Sequence, residues 1–174
     1  MTLPFSNIRN KRMISIIVNI AANNAIGFEN KLLYWLPNDM KRFRQLTTGN
    51  TIIMGRLTFE SLPKGALPNR RNIVLSRNSQ AQFIGAETYG NLEDALAHCS
   101  NDEEIYIIGG ATLYRQAIHL ADRLCITRVD NTPERADTYF PDIDPNEWKV
   151  ESITDFPADE KHAYPYQFID YVRK

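Results

Sequence analysis

An acid among apolar residues is the first chemical signal in this chain: Asp39, within LLYWLPNDMKRF from Leu32 to Phe43. The segment reads as a loop followed by a helix from Pro37 to Thr47, proline being tolerated in a first helical turn. On the helical period Leu36, Met40, Phe43 and Leu46 form one stripe with Asp39 between Leu36 and Phe43, while Lys41, Arg42, Arg44 and Gln45 face away. A carboxylate there must find hydrogen-bond donors or stay partly protonated, because desolvation raises its pKa. Two readings are open. Asp39 complements the helix dipole, or it is a perturbed acid of the kind that gathers at reactive sites.

A second signal is the pair of strand, glycine, helix junctions in TIIMGRLTFES (Thr51 to Ser61) and IYIIGGATLYRQ (Ile105 to Gln116). Such a junction lets a ligand approach the backbone and aims free N–H groups and a positive dipole at it. Two of them could grip a diphosphate, or each could be ordinary tight packing. Neither contains G-x-G-x-x-G, so the usual dinucleotide fingerprint is absent. Arg56 follows the first glycine, and Ser76 with Arg77 follow the strand Asn72 to Leu75, so two guanidiniums could meet at one sheet edge and suit a dianionic phosphate. In LPNRRN, either Arg70 or Arg71 could hold a carboxylate bidentately.

These residues need a scaffold, and 174 residues fit one domain with a continuous core. With 43% hydrophobic and 24% charged residues the chain reads as a soluble globular protein. A net charge of −1 gives no global attraction to nucleic acid or anionic membranes. Cys99 and Cys125 lack C-x-x-C spacing, which suits a reducing cytosol. His98, His119 and His162 are scattered without an i, i+4 partner, so no metal site is expected. Residues 1–12 imitate a signal peptide, but the apolar run after them is broken by Asn19, Asn23 and Asn24. They read as a poorly ordered extension, an upstream start or an added leader, ahead of a domain spanning 13–174.

Apolar, β-branched runs at Ile14 to Ile20, Thr51 to Met54, Asn72 to Leu75, Ile105 to Ile108 and Leu124 to Val129 predict buried strands. Helical patterns fall between them, at Pro37 to Thr47, Leu57 to Leu62, Leu92 to His98 and Thr112 to Ala117. That alternation predicts a mainly parallel sheet covered on both faces. Trp148 to Ile153 and Tyr166 to Val172 have no helix between them and predict an antiparallel pair at a sheet edge.

Taken in order, MISIIV, NNAIG, LLYWLPNDMKRF, TIIMGRLTFES, LPNRRNIVLSR, IYIIGGATLY and DTYFP resemble the dihydrofolate reductase family of chromosomal bacterial type, from Met13 to the C-terminus. The resemblance implies a single α/β domain with a mixed, mostly parallel eight-stranded sheet, an antiparallel C-terminal edge and about four flanking helices. It also implies NADPH-dependent reduction of 7,8-dihydrofolate to tetrahydrofolate, serving one-carbon and thymidylate metabolism, by a cytoplasmic monomer that takes antifolates in the same pocket. By the same resemblance Asp39 is the acid that binds the pterin and promotes protonation of N5, with Tyr34 beside it as a catalytic position. The folate site would comprise Ile17, Val18, Asn19, Leu32, Met40, Phe43, Leu62, Leu67, Ile108 and Tyr114. Arg70 would bind the glutamate-tail carboxylate, Thr127 would buttress Asp39, and the Ile17 and Ile108 carbonyls would accept near the pterin. NADPH would contact Asn19, Ile26 and Gly27, then Gly55, Arg56, Leu57, Thr58 and Ser61, then Leu75, Ser76 and Arg77. Ile108, the cis-linked pair Gly109 and Gly110, Ala111, Thr112, Leu113 and Tyr114 would complete its cradle. Residues Asn23 to Leu36 match a mobile loop that closes over nicotinamide.

Three positions depart from the family. Tyr34 stands where a tryptophan is nearly invariant, and its polar tip could hold a water near the pterin. Asn19 replaces a small alanine and brings bulk and unsatisfied polarity, and Leu57 replaces a polar or basic residue near the adenosine. A related reductase of riboflavin synthesis shares fold and cofactor but lacks the helix-borne acid and the tail arginine. A non-catalytic pteridine-binding paralogue is the reading from another class.

Overall fold

The strand richest in β-branched residues, β1 (Met13–Ile20), lies inside the main sheet of the computed structural model, which describes residues 12–174. A hairpin follows, β2 (Ala25–Phe28) and β3 (Lys31–Leu32), turned by Glu29 and Asn30, both at positive φ as a two-residue hairpin requires. Then come α1 (Pro37–Thr47), β4 (Thr51–Gly55), α2 (Arg56–Glu60), β5 (Arg71–Leu75), β6 (Ala86–Tyr89) and α3 (Leu92–Ala97). The chain continues through β7 (Glu104–Ile107), α4 (Ala111–Ala117), β8 (Arg123–Val129), β9 (Thr138–Tyr139), β10 (Trp148–Phe156) and β11 (Tyr166–Arg173).

Eight strands form one sheet in the order β10-β11-β8-β1-β7-β4-β5-β6. The pairs from β8 to β6 are parallel, and β11 runs antiparallel to both β8 and β10. The eight-stranded, mostly parallel sheet with an antiparallel C-terminal edge is therefore as expected. Consecutive residues of β1 serve opposite faces: Ile16, Val18 and Ile20 join the core under α3 and α4, whereas Ile17 joins Ile52, Met54, Val74, Phe43 and Leu46 under α1. Truncating a fully buried member such as Ile16 or Ile53 to alanine costs about 2–5 kcal/mol.

Two elements escaped the sequence patterns. β6 is short and half-exposed, AETY carrying no apolar run, and it forms only because the edge of β5 needs a partner. The stretch matched to a closing loop is a hairpin tied to β9, with Ala25 opposite Tyr139, in a separate three-stranded sheet. The expectation for residues 1–12 lies almost wholly outside the described residues, and Arg12 itself donates to the Leu96 carbonyl at 2.8 Å. No described helix is long and apolar enough to cross a membrane.

Candidate active site

α1 starts where a proline forces it to. Leu36 before Pro37 is extended (φ −119°, ψ 115°), as the residue ahead of proline must be, and serves as N-cap without a capping side chain. Asp39 therefore falls in the first turn. Its carboxylate is gripped from the sheet: the Thr127 hydroxyl donates to Oδ1 at 2.6 Å and the Asn19 amide to Oδ2 at 3.3 Å. Asn19 and Thr127 are register partners on β1 and β8, so one rung of the sheet supplies both donors. Burial raises the Asp39 pKa, and the Thr127 and Asn19 hydrogen bonds and the Arg42 charge pull it back only in part.

The stripe around Asp39 divides. Leu36 is buried with Val129 and Tyr166, Phe43 and Leu46 pack partly on the sheet, and Met40 is 37% exposed. Arg42 corrects the sequence reading. It does not face solvent with Lys41 and Arg44, but pairs with Asp170 of β11 and lies 4.7 Å over the Phe168 ring. Its Nη1 is buried without a hydrogen-bond partner. The helix is rotated so that this side meets the last strand, a long-range fact that a local pattern does not carry.

Tyr34 and Asn19 also differ from expectation. The Tyr34 hydroxyl is not free beside the acid: it donates to Asn131, 2.7 Å from Oδ1 and 3.3 Å from the carbonyl oxygen, just beyond β8. Burial, then the neighbouring Tyr164, pushes its pKa up. Asn19 satisfies only half of its amide, because Nδ2 serves Asp39 while Oδ1 is buried without a partner. Val18, although expected at the ligand, packs its side chain into the opposite core, because alternate strand residues face opposite ways.

Across the sheet, the two glycine junctions meet. Gly55 N–H donates to the Gly109 carbonyl at 2.8 Å, and Gly109 and Gly110 are joined by a cis peptide. A Cβ at Gly109 would come within 3.3 Å of both Thr58 Oγ1 and the Tyr114 hydroxyl, and φ is +129°, so only glycine leaves this surface open. Tyr114 is buried and donates to the Ile17 carbonyl at 2.9 Å, so that carbonyl already has one donor within the protein. Burial, then the Asp39 charge, holds its phenol well above the usual range. Ile108 donates its N–H to Ile53.

On the same side, Gly55 is in register with Leu75, which brings Arg56 and Ser76 side by side at the carboxyl ends of β4 and β5. Ser76 is buried and accepts from Asn78 N–H at 3.2 Å. Arg56 pairs with Glu60 one turn along α2, at 2.9 Å and half-exposed, while Arg77 makes no ion pair among the described residues. Ser61 closes α2 by donating to the Thr58 carbonyl, and Leu57 is exposed. Ile26 is buried in β2, Gly27 pairs with β3, Leu32 is exposed, and Leu113 is buried in α4 beside Ala111 and Thr112.

Arg70 and Arg71 separate cleanly. Arg71 is saturated by Glu87 at 2.6 Å and Glu103 at 2.7 Å. Arg70 donates to the Pro68 carbonyl and to Thr47 Oγ1 at the end of α1, with no acid among these partners. Burial and the nearby Arg44 charge lower its pKa. Two cations so close suit a carboxylate. Leu62 and Leu67 pack near them against the α1-side core.

The Asp39 seat on Asn19 and Thr127, the glycine junctions and the Arg56 and Ser76 edge stand at the carboxyl ends of parallel strands, where α/β sheets bind ligands, while Arg70 stands just ahead of the amino end of β5. A family model described as dihydrofolate reductase matches residues 13–173. The chain belongs to the dihydrofolate reductase family. It is 43% identical over 162 residues to the Bacillus subtilis (strain 168) dihydrofolate reductase, covering 93% of this chain and 95% of that protein. It is 44% identical over 161 residues to that of Neisseria gonorrhoeae, covering 92% and 98%. Among solved structures it is similar to the Enterococcus faecalis dihydrofolate reductase complexed with NADP(H) and RAB-propyl, at TM-score 0.85 and 34% identity, covering 93% and 96% of the two chains. Membership makes it an enzyme, an oxidoreductase of dihydrofolate that uses NADPH. The residues present fit that cofactor, since the glycine surface left open at Gly109 and the Arg56, Ser76 and Arg77 edge are the backbone approach and cationic rim that a phosphorylated dinucleotide needs.

Proposed function

We propose that the enzyme reduces 7,8-dihydrofolate to 5,6,7,8-tetrahydrofolate by hydride delivery to C6 and protonation of N5, with Asp39 as the acid of the site. The observation that carries this is the Asp39 carboxylate itself, fixed at both oxygens and raised in pKa by burial. It holds the pterin through its 2-amino group and N3. A desolvated acid at that place holds a proton more readily than an exposed carboxylate and so supports protonation of N5. Thr127 and Asn19 fix the direction of the carboxylate.

Arg70, with Arg44 close by, receives the tail carboxylate, and Phe43, Leu62 and Leu67 pack the benzoyl portion. NADPH, when bound, supplies the hydride. Gly55, Gly109 and Gly110 hold its diphosphate, and Arg56, Ser76 and Arg77 take the 2′-phosphate. Tyr34 fastens the segment before α1 to Asn131. The product feeds one-carbon and thymidylate metabolism, in the cytoplasm and as a monomer; family likeness alone supports those settings. Antifolates compete for the same pocket.

NADPH oxidation is measured with dihydrofolate, then with the riboflavin-pathway substrate, at matched enzyme concentration. Oxidation with dihydrofolate alone is expected, and Asp39→Asn should lower turnover by about a hundred-fold or more while still binding pterin. Near-normal turnover of that variant sinks the assignment. Oxidation with neither substrate favours a pteridine-binding paralogue.

A further inference from the structure

α1 reaches the site without a capping residue of its own. Its N-cap is Leu36, Pro37 has no N–H, and the first free donor is Asn38 N–H. That donor is satisfied from 124 residues away: His162 Nε2 accepts it at 3.2 Å. The imidazole can do so only as the tautomer with its proton on Nδ1, and the Asp159 carboxylate lies 2.8 Å from Nδ1 to hold that proton there. His162 is only 2% exposed and stacks on Tyr166 of β11 at 4.8 Å, with Phe156 of β10 on the ring beyond. The Tyr166 hydroxyl also lies 2.6 Å from the Asn38 amide nitrogen, so His162 and Tyr166 hold Asn38 by backbone and by side chain. Asp39 is the next residue.

We propose that His162 is a positioning residue for Asp39: an Asp159-oriented imidazole replaces the missing N-cap of α1 and sets the register of its first turn against Thr127. The inference rests on the reading of Asp39 as the acid of the site. The titratable groups facing the ring are Asp159 from its own turn and the Tyr166 hydroxyl region from β11; α1 presents the Asn38 amides with Asp39 directly behind them. Loss of the acceptor leaves the first helix donor without its protein partner, and the first turn shifts to find another. Asp39 then loses the 2.6 Å donor that holds its pKa down, and its pKa rises further.

His162→Phe keeps the ring stack and removes the acceptor, whereas His162→Asn replaces the acceptor with an amide oxygen. Single-turnover reduction of dihydrofolate by the full chain with bound NADPH should fall about five-fold in His162→Phe. The pH at which the rate declines should rise, with KM for NADPH unchanged, and His162→Asn should restore most of both. A wild-type rate and pH midpoint in His162→Phe overturn the proposal even if the melting temperature drops, as does equal impairment of His162→Asn. If His162→Phe does not fold, Asp159→Ala decides, because its carboxylate is solvent-facing: a smaller change in the same direction supports the proposal, and an unchanged rate and midpoint overturn it. Asp39→Asn, assayed alongside, separates failure of this inference from failure of the acid assignment.

Discussion

The two ends of the site are built on opposite plans. At the Asp39 end the carboxylate already has protein donors on both oxygens and its helix is held at Asn38, Arg42 and Thr47 by residues remote in sequence. At the phosphate end the polar groups are loosely engaged: Arg56 leans on its own helix, Arg77 has no described ion pair, and Gly109 offers bare backbone. The first plan suits an acid whose pKa and direction matter in the reaction. The second suits a charged ligand that arrives from water and supplies its own counter-charge.

That contrast can be broken in order of expected effect. The largest change is the turnover loss of Asp39→Asn already described, and it should come with a gain elsewhere. Because burial raises the folded-state pKa, ionising Asp39 opposes folding as pH rises from the unfolded carboxylate range through the folded value, and the penalty persists above it. The asparagine variant should therefore be at least as stable as the parent at neutral and alkaline pH, and lose that advantage in acid; denaturant titrations at several pH values test this. The parent's rate should decline at alkaline pH as the proton supply is lost, and a flat profile contradicts an acid role.

Next, Arg77→Ala should weaken NADPH about ten-fold or more while leaving NADH nearly unaffected, read as the ratio of the two KM values. An equal loss for both would mean that Arg77 does not read the 2′-phosphate. Asn19→Ala removes a buried amide oxygen without a partner and should tighten folate or antifolate binding about five-fold in equilibrium titration. Unchanged or weaker binding would reject this, and weaker binding would show that the Asn19 amide is needed to hold Asp39. The smallest effect belongs to Glu60→Ala: an exposed i, i+4 pair contributes about 0.3–0.5 kcal/mol, so NADPH KM should fall by about two-fold at most.

The sequence made the acid, the glycine junctions and the main sheet legible, because each is a local pattern: an odd carboxylate on an apolar stripe, glycine after a β-branched run, alternating strand and helix. Thr127 comes only through family resemblance, since a strand threonine carries no local mark, and the local pattern offers Arg70 and Arg71 alike, the resemblance choosing between them. What could not be read was long-range. The helical period turns Arg42 to solvent although Asp170 waits on β11, and the Tyr34 hydroxyl finds Asn131 rather than standing free. His162 reads in the sequence as one of three scattered histidines, and the one clue to it is that a helix opening Leu36–Pro37 has no cap of its own and must borrow one. β6 had no apolar signal to follow.

The last strand made is not the last strand in the sheet. β11 lies between β8 and β10, and its Asp170 and Tyr166, with His162 just before it, hold the helix that carries Asp39. During synthesis β10 emerges with no neighbour to pair with, and the acid emerges long before its seat. A chain lacking only β11 contains Asp39, Thr127 and both glycine junctions, yet lacks the Asp170 and Tyr166 partners of α1. One strand, β11, thus fills the gap that completes the sheet and supplies partners to the helix of the site.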